Sequence, residues 1–200
     1  MLTEGARHVL GWKSPNFLYL NAANPRLKIF MRNYKLSDDI SFRFSNKNWS
    51  EYPLTSDKFI GWLNELDKKE EIINLFLSYE SLGERQKESS GIFRFLEYLA
   101  GGVVNSQHLN FATPSEVLKN VQPVSVVSVP HPISWADEER DLTAWLGNEM
   151  QQEAFEKLYA LSPRMAECTN TEMIKDWNYL QSSDHFYYMS TKFFSDGAVH

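Results

Sequence analysis

The sequence predicts an α/β fold, and three adjoining features favour it. A nearly continuous apolar run at residues 71–77 has the length and composition of a strand that is covered on both faces. The polar segment SYESLGERQ follows at residues 78–86, and an amphipathic helix comes next, with Ile92, Phe95 and Leu99 on one stripe. Strand, polar loop and returning helix make a βα unit, and ligands bind such units where the strand ends.

The residues before this unit predict the same alternation. LKIFMRNY at residues 27–34 predicts a strand after the chain-breaking pair Asn24-Pro25. A helix is expected from Ser37 onward, and Thr55 is the expected cap of another helix. Strands that alternate with helices in this way are typical of βαβ units and a parallel sheet.

The residues after the unit continue the pattern and then become helical. Ser89 or Ser90 is the expected cap of the central helix, which should end before Gly101. Thr113 begins a helix with proline at its first position and glutamate at the capping-box position, and the valine-rich residues 124–129 predict a further strand. The last third predicts two helices, one from about residue 148 to 167 and one from 171 towards 189.

Composition and charge argue against several classes of partner. A formal net charge of −6 leaves no basic field for phosphates, so no nucleic-acid partner is expected. No apolar run approaches the ~18 residues of a membrane span, so no membrane partner is expected either. The single cysteine, Cys168, cannot form an internal disulfide, which favours a reducing, cytoplasmic location. The sequence shows no metal-ligand spacing, P-loop or dinucleotide glycine pattern, and we expect no metal and no cofactor.

Four separated segments carry a resemblance to a known family. They are TEGARHVLGWKSPN at residues 3–16, SYESLGERQ at 78–86 followed by GIFRFLEYL, SWADEERDLTAWLGN at 134–148, and LQSSDHFYYM at 180–189. In this order they resemble the α-amylase group of glycoside hydrolase family 57. The resemblance implies part of an incomplete (β/α)7 barrel at residues 1–145, followed by a helical region at residues 146–200 that continues beyond the chain end in relatives. The family's opening strands would precede Met1, so the chain is expected to be a fragment whose partner is the missing N-terminal half of the barrel.

The resemblance also implies a reaction, retaining hydrolysis of α-1,4-glucans, in which one carboxylate attacks the sugar and another serves as acid and then base. Glu4 matches the position of the nucleophile. Relatives carry Asp-Tyr-Glu-Thr-Phe-Gly-Glu-His in the fourth conserved region, where this chain has SYESLGER. Ser78 therefore replaces the acid/base aspartate, and Arg85 replaces the histidine. A serine hydroxyl is too weak an acid for this role, and general acid–base help is typically worth ~10²–10⁴-fold in rate.

The expected function is thus an α-amylase-like glycoside hydrolase with weak activity or none. Glu80 or Glu84 could replace the lost acid, although neither is placed as the family's acid is. The alternative is a non-catalytic module that binds or senses α-glucan. The expected ligand of either is an α-glucan or maltooligosaccharide. The substrate-binding positions that the resemblance and the loop chemistry indicate are Glu80, Glu84, Arg85, Trp135, Asp137, Asp184 and His185.

Several of these residues have a plainer interpretation. The charged residues of the loop, Glu80, Glu84 and Arg85, could form no more than a surface ion-pair cluster. Trp135 could belong to the core, as we expect for the neighbouring Trp145. His185 could simply pack among the aromatic residues that follow it.

Overall fold

The computed structural model describes residues 1–136 and 139–192. The chain divides into two compact units, Met1–Pro130 and His131–His200. The first unit is a mixed α/β structure, whereas the described residues of the second unit are helical. The α/β prediction is therefore confirmed. The division expected at residue 145 concerns the extent of the family's barrel and stays a prediction.

Four strands of the described residues form one sheet: β1 (Leu2–Glu4), β2 (Leu18–Asn21), β3 (Lys28–Arg32) and β4 (Ser125–Val127). Their order in the sheet is β1-β3-β2-β4. Strand β1 runs parallel to β3 and β4 runs parallel to β2, whereas β2 and β3 are antiparallel neighbours. The strands expected at residues 27–34 and 124–129 are confirmed in shorter form. The sheet is mixed rather than parallel, because β2 and β3 pair as a hairpin across a six-residue turn.

The strand predicted at residues 71–77 is wrong, because the segment pairs with no strand among the described residues. Hydrogen bonds between Asn74 and residues in or just after β3 take the place of regular strand pairing. The Asn74 side chain donates to the carbonyl of Met31 over 2.9 Å, and the amide of Asn33 donates to the carbonyl of Asn74 over 2.9 Å. The segment thus lies beside the carboxyl end of β3 without a regular strand pairing.

The helical elements of the first unit are α1 (Arg7–Leu10), α2 (Tyr34–Asp38) with a π-helical turn (Asp39–Arg43), α3 (Ser56–Glu65), 3₁₀ turns at Tyr79–Ser81 and Glu88–Ser90, α4 (Ile92–Val104) and α5 (Pro114–Asn120). The caps expected at Thr55 and Thr113 are confirmed. Asn33, not Ser37, caps α2, since the Asn33 side chain accepts the Leu36 amide over 3.1 Å. The Ser37 hydroxyl instead donates to the Asn33 carbonyl over 2.7 Å.

Helix α4 differs from its prediction at both ends. Ser89 and Ser90 lie in a 3₁₀ turn, and Gly91 precedes the helix with a φ of 84° that a side chain would strain. Gly101 lies inside the helix, which continues to Val104. A Cβ on the adjacent Gly102 would lie 2.0 Å from Cδ1 of Ile60 in α3, so the glycine allows the two helices to pack closely.

The main core of the first unit lies among α2, its π-helical turn, α3 and α4. Aromatic rings pack edge to face within it: the ring centroids of Phe44 and Phe95 are 5.1 Å apart, and those of Phe59 and Phe95 are 5.8 Å apart. A smaller cluster covers one face of the sheet around Tyr19 and Ile29. This packing holds the segments that follow β1 and β3 in fixed positions.

The second unit contains α6 (Thr143–Leu146), α7 (Glu149–Tyr159), α8 (Ser162–Ala166), α9 (Thr171–Leu180) and α10 (Ser183–Tyr187). The two predicted helices are each divided in two, near Leu161 and Gln181. The fully buried Gln151 side chain joins three helices, because its Nε2 donates to the carbonyls of Ala144 and Phe186 over 2.9 Å each. Within the described ranges, no helix is long and apolar enough to cross a membrane.

Candidate active site

Glu4 and Arg32 face each other at the end of two strands. Each is the last residue of its strand, β1 or β3, and the parallel register pairs their Cα atoms. The neighbouring Gly5 allows this approach, since a Cβ there would lie 2.1 Å from the carbonyl oxygen of Arg32. The carboxyl edge of parallel strands is where α/β proteins place their ligands. Glu4 therefore lies at the carboxyl end of a parallel strand pair, while its role as a site residue stays a prediction.

The two side chains form a buried ion pair. Nη1 of Arg32 lies 3.3 Å from Oε1 and 3.5 Å from Oε2 of Glu4. The side chains of Glu4 and Arg32 are 5% and 8% exposed. Burial of an isolated carboxylate costs several kcal/mol, and the guanidinium offsets part of that cost. The contact also fixes both oxygens of Glu4 relative to the strand ends.

Arg32 contacts two further groups besides Glu4. Its Nη2 lies 2.6 Å from Oδ1 of Asp38, which is the last residue of α2. The side chain of Asp38 is also 8% exposed. Its Nε donates to the carbonyl of Phe76 over 2.9 Å. One guanidinium therefore joins β1, α2 and the segment that leads into the loop at residues 78–86. Two carboxylates therefore contact one guanidinium in this buried cluster.

Ser78 follows the segment that Arg32 holds. It lies two residues after Phe76, which limits the separation of their Cα atoms to about 7 Å. Ser78 is exposed, and its Oγ lies 3.3 Å from Oγ of the buried Ser81. Glu4 and Phe76, which lies two residues before Ser78, thus contact the same arginine, Arg32. It offers no second carboxylate at position 78.

The rest of the loop is anchored from its far end. Gln86 is 2% exposed; its Oε1 accepts the Ser45 hydroxyl over 2.6 Å and its Nε2 donates to the Ser41 carbonyl over 2.9 Å. The Arg85 guanidinium lies 4.8 Å from the centre of the Phe42 ring, which is a cation–π distance. Glu80 and Glu84 are exposed. The loop is thus held on both sides, while its carboxylates point into solvent.

The π-helical turn beneath the loop carries a perturbed carboxyl group. Burial raises the pKa of Asp39 above its usual value, and the Arg43 guanidinium, 2.6 Å from its Oδ1, opposes that rise. Turns of this kind interrupt α-helices and occur often at functional sites. Here the turn carries Ser41 and Phe42, which contact the loop.

The other predicted site residues belong to the second unit. Trp135 is 53% exposed, whereas Trp145 is half-buried against the Tyr187 ring, in line with the core position expected for it. Asp184 is exposed and lies within 3.5 Å of the Ser182 hydroxyl. Nε2 of His185 lies 3.1 Å from the Tyr179 carbonyl oxygen. The remaining predicted residue, Asp137, lies outside the described residues.

Two members of the buried cluster, Arg32 and Asp38, were not among the predicted site residues. A basic residue at the end of the apolar run LKIFM was a usable signal, because arginine at a strand end is seldom buried without a partner. Asp38 gave no such signal, since it resembled one residue of a helix cap. Among the described residues, no group of three or more His, Cys, Asp or Glu side chains could hold a metal ion.

Together, fold and site define a mixed α/β protein that buries an arginine-bound carboxylate at the carboxyl edge of its sheet, where α/β enzymes place catalytic groups. The model of the family described as Glycosyl hydrolase family 57 matches residues 1–130. The chain belongs to this family, and the resemblance found in the sequence is confirmed.

A curated relative extends the match to the whole chain. The protein of Methanocaldococcus jannaschii named "Putative alpha-amylase" is 43% identical over 210 residues, which cover 100% of this chain and 44% of the relative. The chain therefore spans less than half the length of that relative. No solved structure matches this chain.

Proposed function

We propose that this chain derives from a retaining glycoside hydrolase of α-1,4-glucans and supplies its nucleophile position, Glu4. The observation that supports this proposal best is the Arg32 guanidinium, which contacts both Glu4 and the carbonyl of Phe76. It links the nucleophile position to Phe76, which lies two residues before Ser78. Retaining enzymes need two carboxyl groups about 5–5.5 Å apart across the glycosidic bond, and this arrangement would hold the first of them.

The second carboxyl group is missing in this proposal. Ser78 occupies the acid/base position, and a serine hydroxyl neither protonates a departing sugar oxygen nor activates water at neutral pH. Glu80 and Glu84 are exposed on the loop, and both carboxylates are candidates to replace it. We propose weak hydrolysis at best.

The test is the release of reducing ends from maltooligosaccharides by the natural chain and by its Ser78→Asp variant. We expect a gain of about 10²–10⁴-fold in the variant, the usual worth of general acid–base help. The matched control is the double variant Glu4→Gln/Ser78→Asp, which should lose that gain. Robust turnover by the natural Ser78 chain would contradict the proposal that the acid/base group is lost. It would indicate that Glu80 or Glu84 serves as the acid.

A second candidate function is a non-catalytic α-glucan-binding or regulatory module. Two nearly fully exposed aromatic residues favour it: Trp12 is 93% exposed and Tyr79, beside Ser78, is 97% exposed. Exposed aromatic faces are suited to stacking on sugar rings. Retarded migration of the chain in an amylose-containing gel, without hydrolysis, would support this candidate. Equal migration with and without amylose would remove it.

The remaining parts of the proposal follow the family. The first unit would belong to an incomplete (β/α)7 barrel whose other half is supplied by further sequence, and Arg85, Trp135, Asp137, Asp184 and His185 would add contacts to the glucan. The single free cysteine, Cys168, favours a cytoplasmic location. Loss of amylose retardation in a Trp135→Ala or Asp184→Ala variant would support a role of the second unit in binding. Unchanged retardation would restrict binding to the first unit.

A further inference from the structure

The Arg32 guanidinium contacts two carboxylates unequally. Its Nη2 lies 2.6 Å from Oδ1 of Asp38, whereas its Nη1 lies 3.3 Å and 3.5 Å from the two oxygens of Glu4. Charge-assisted hydrogen bonds from nitrogen to a carboxylate are usually about 2.7–2.9 Å long. The contact with Asp38 is therefore tight, and the contact with Glu4 is longer than is usual for such a bond.

Two close contacts fix the position of the guanidinium. Nε of Arg32 donates to the carbonyl of Phe76 over 2.9 Å, and Nη2 contacts Asp38. A guanidinium is planar and presents its donors in a rigid fork, so these two contacts leave Nη1 little freedom to move by itself. Asp38 and Phe76 together thus limit how closely Nη1 approaches Glu4.

The length of the Glu4 contact matters for a carboxylate that attacks a sugar. The negative charge of such a carboxylate diminishes as one of its oxygens bonds to the anomeric carbon. A cation held tightly against it therefore stabilises the unreacted carboxylate more than the transition state, and this difference raises the barrier. A longer contact positions the carboxylate with a smaller penalty of this kind.

We propose that Asp38 is a positioning residue for Glu4, because it holds the Arg32 guanidinium back from the carboxylate that attacks the sugar. The inference rests on the proposed function in taking Glu4 as the nucleophile. Asp38 acts through Arg32 in this role and needs no contact with the sugar. The negative charge of Asp38 is essential to the role, since the charge competes with Glu4 for the guanidinium.

The first test compares crystal structures of the natural chain and its Asp38→Asn variant. Asparagine keeps the shape of the side chain and an oxygen that accepts from Nη2, but it lacks the charge. We expect Nη1 of Arg32 to move towards Glu4, so that the 3.3 Å contact shortens to about 2.8 Å. A merely structural role of Asp38 predicts a contact of the same length or longer, and that result would overturn the inference.

The second test is the rate at which α-maltosyl fluoride labels Glu4. An oxygen of Glu4 bonds to the anomeric carbon while the carbon–fluorine bond breaks and fluoride leaves with the electron pair, so this step needs little acid help. We expect Asp38→Asn to lower the labelling rate at saturating reagent about tenfold to hundredfold, because a tighter contact must be loosened. The half-saturating concentration should stay within about twofold of its natural value.

Equal rates at saturation in the two proteins would overturn the inference. A change confined to the half-saturating concentration would also overturn it, because that result indicates that Asp38 contacts the sugar itself.

Two further variants separate the charge of Asp38 from its place in the fold. Asp38→Glu carries the charge on a longer side chain, and its rate at saturation should exceed that of Asp38→Asn by at least about threefold. Equal rates for these two variants would refute the role of the charge. The matched control is Glu51→Gln, which neutralises a carboxylate 2.7 Å from Lys58 and should label at the natural rate.

A measurement on the natural chain decides the inference if Asp38→Asn does not fold. In side-chain NMR of Arg32, the protons on Nη2 should exchange with water at least about tenfold more slowly than those on Nη1, because Nη2 makes the shorter contact. Equal exchange would contradict the inference. A natural chain that is not labelled at Glu4 would refute the proposed function instead, while the contact lengths and the proton exchange would still test how Asp38 holds Arg32.

Discussion

Replacement of Arg32 by methionine tests the buried cluster at the strand ends. The substitution keeps an unbranched apolar stem but removes the cation that lies 3.3 Å from Glu4 and 2.6 Å from Asp38. Both carboxylates then remain in a site where the three side chains are at most 8% exposed. Removal of one partner from a buried ion pair costs about 3–5 kcal/mol, and loss of the bond to the Phe76 carbonyl adds about 1 kcal/mol. We expect a loss of about 4–6 kcal/mol in the free energy of unfolding.

The assay is equilibrium unfolding in urea, followed by circular dichroism and tryptophan fluorescence. The matched control is Lys157→Met, which removes the cation of an i,i+4 pair in which Lys157 is 74% and Glu153 is 65% exposed. Exposed pairs contribute about 0–1 kcal/mol, so this variant should lie close to the natural protein. Equal losses in the two variants, or a loss below about 1 kcal/mol for Arg32→Met, would refute the reasoning that the strand-end cluster is buried and tightly coupled.

Three further predictions concern single side chains. Gly5→Ala should lower stability by about 1–3 kcal/mol in thermal or urea unfolding, because the new Cβ meets the Arg32 carbonyl oxygen, whereas Gly61→Ala in an open position of α3 should raise it by about 0.5–1 kcal/mol. Gln86→Ala should speed amide exchange in the loop and cost about 1–3 kcal/mol, because two buried hydrogen bonds are lost. Asp39→Asn should remove a pH dependence of unfolding, since the folded pKa of Asp39 is raised.

The sign for Asp39 follows from proton linkage. A raised folded pKa means that the folded state binds the proton more tightly, so this group stabilises the fold below the ordinary aspartate range. That contribution is lost as the pH rises through the raised pKa, and the natural protein should lose stability there relative to Asp39→Asn. Parallel pH profiles for the two proteins would contradict the assignment. A stabilising Gly5→Ala, or unchanged loop exchange in Gln86→Ala, would contradict the contacts described for those residues.

Features that depend on neighbouring residues were predictable from the sequence. The capping box of Thr113 and Glu116 and the cap at Thr55 appear as expected, because each requires only residues within one helical turn. The strand at Lys28–Arg32 was also predictable from its composition. Family membership, and with it the candidate nucleophile at Glu4, came from motifs that stand in the expected order.

Features that depend on distant partners were not predictable in this way. The composition of residues 71–77 predicts a buried strand, and Ile72 is indeed buried. The strand pairing is absent, because hydrogen bonds from the side chains of Asn74 and Arg32 take the place of those between strands. Arg32 contacts Glu4 across 28 positions of sequence, and no local pattern reveals such a contact. The continuation of α4 past Gly101 likewise depends on how closely Gly102 packs on α3.

Covalent labelling with α-maltosyl fluoride tests the central claim most directly. Fluoride leaves with its bonding electron pair and needs little acid help, so a competent Glu4 can form its bond to the anomeric carbon even without an acid at position 78. Because Ser78 cannot activate water for the second step, the glycosyl-enzyme should accumulate, and peptide mass spectrometry should find one maltosyl group on Glu4. The Ser78→Asp variant should release fluoride faster and retain less label. Label on another residue, or no label while Ser78→Asp turns over the fluoride, would contradict the account.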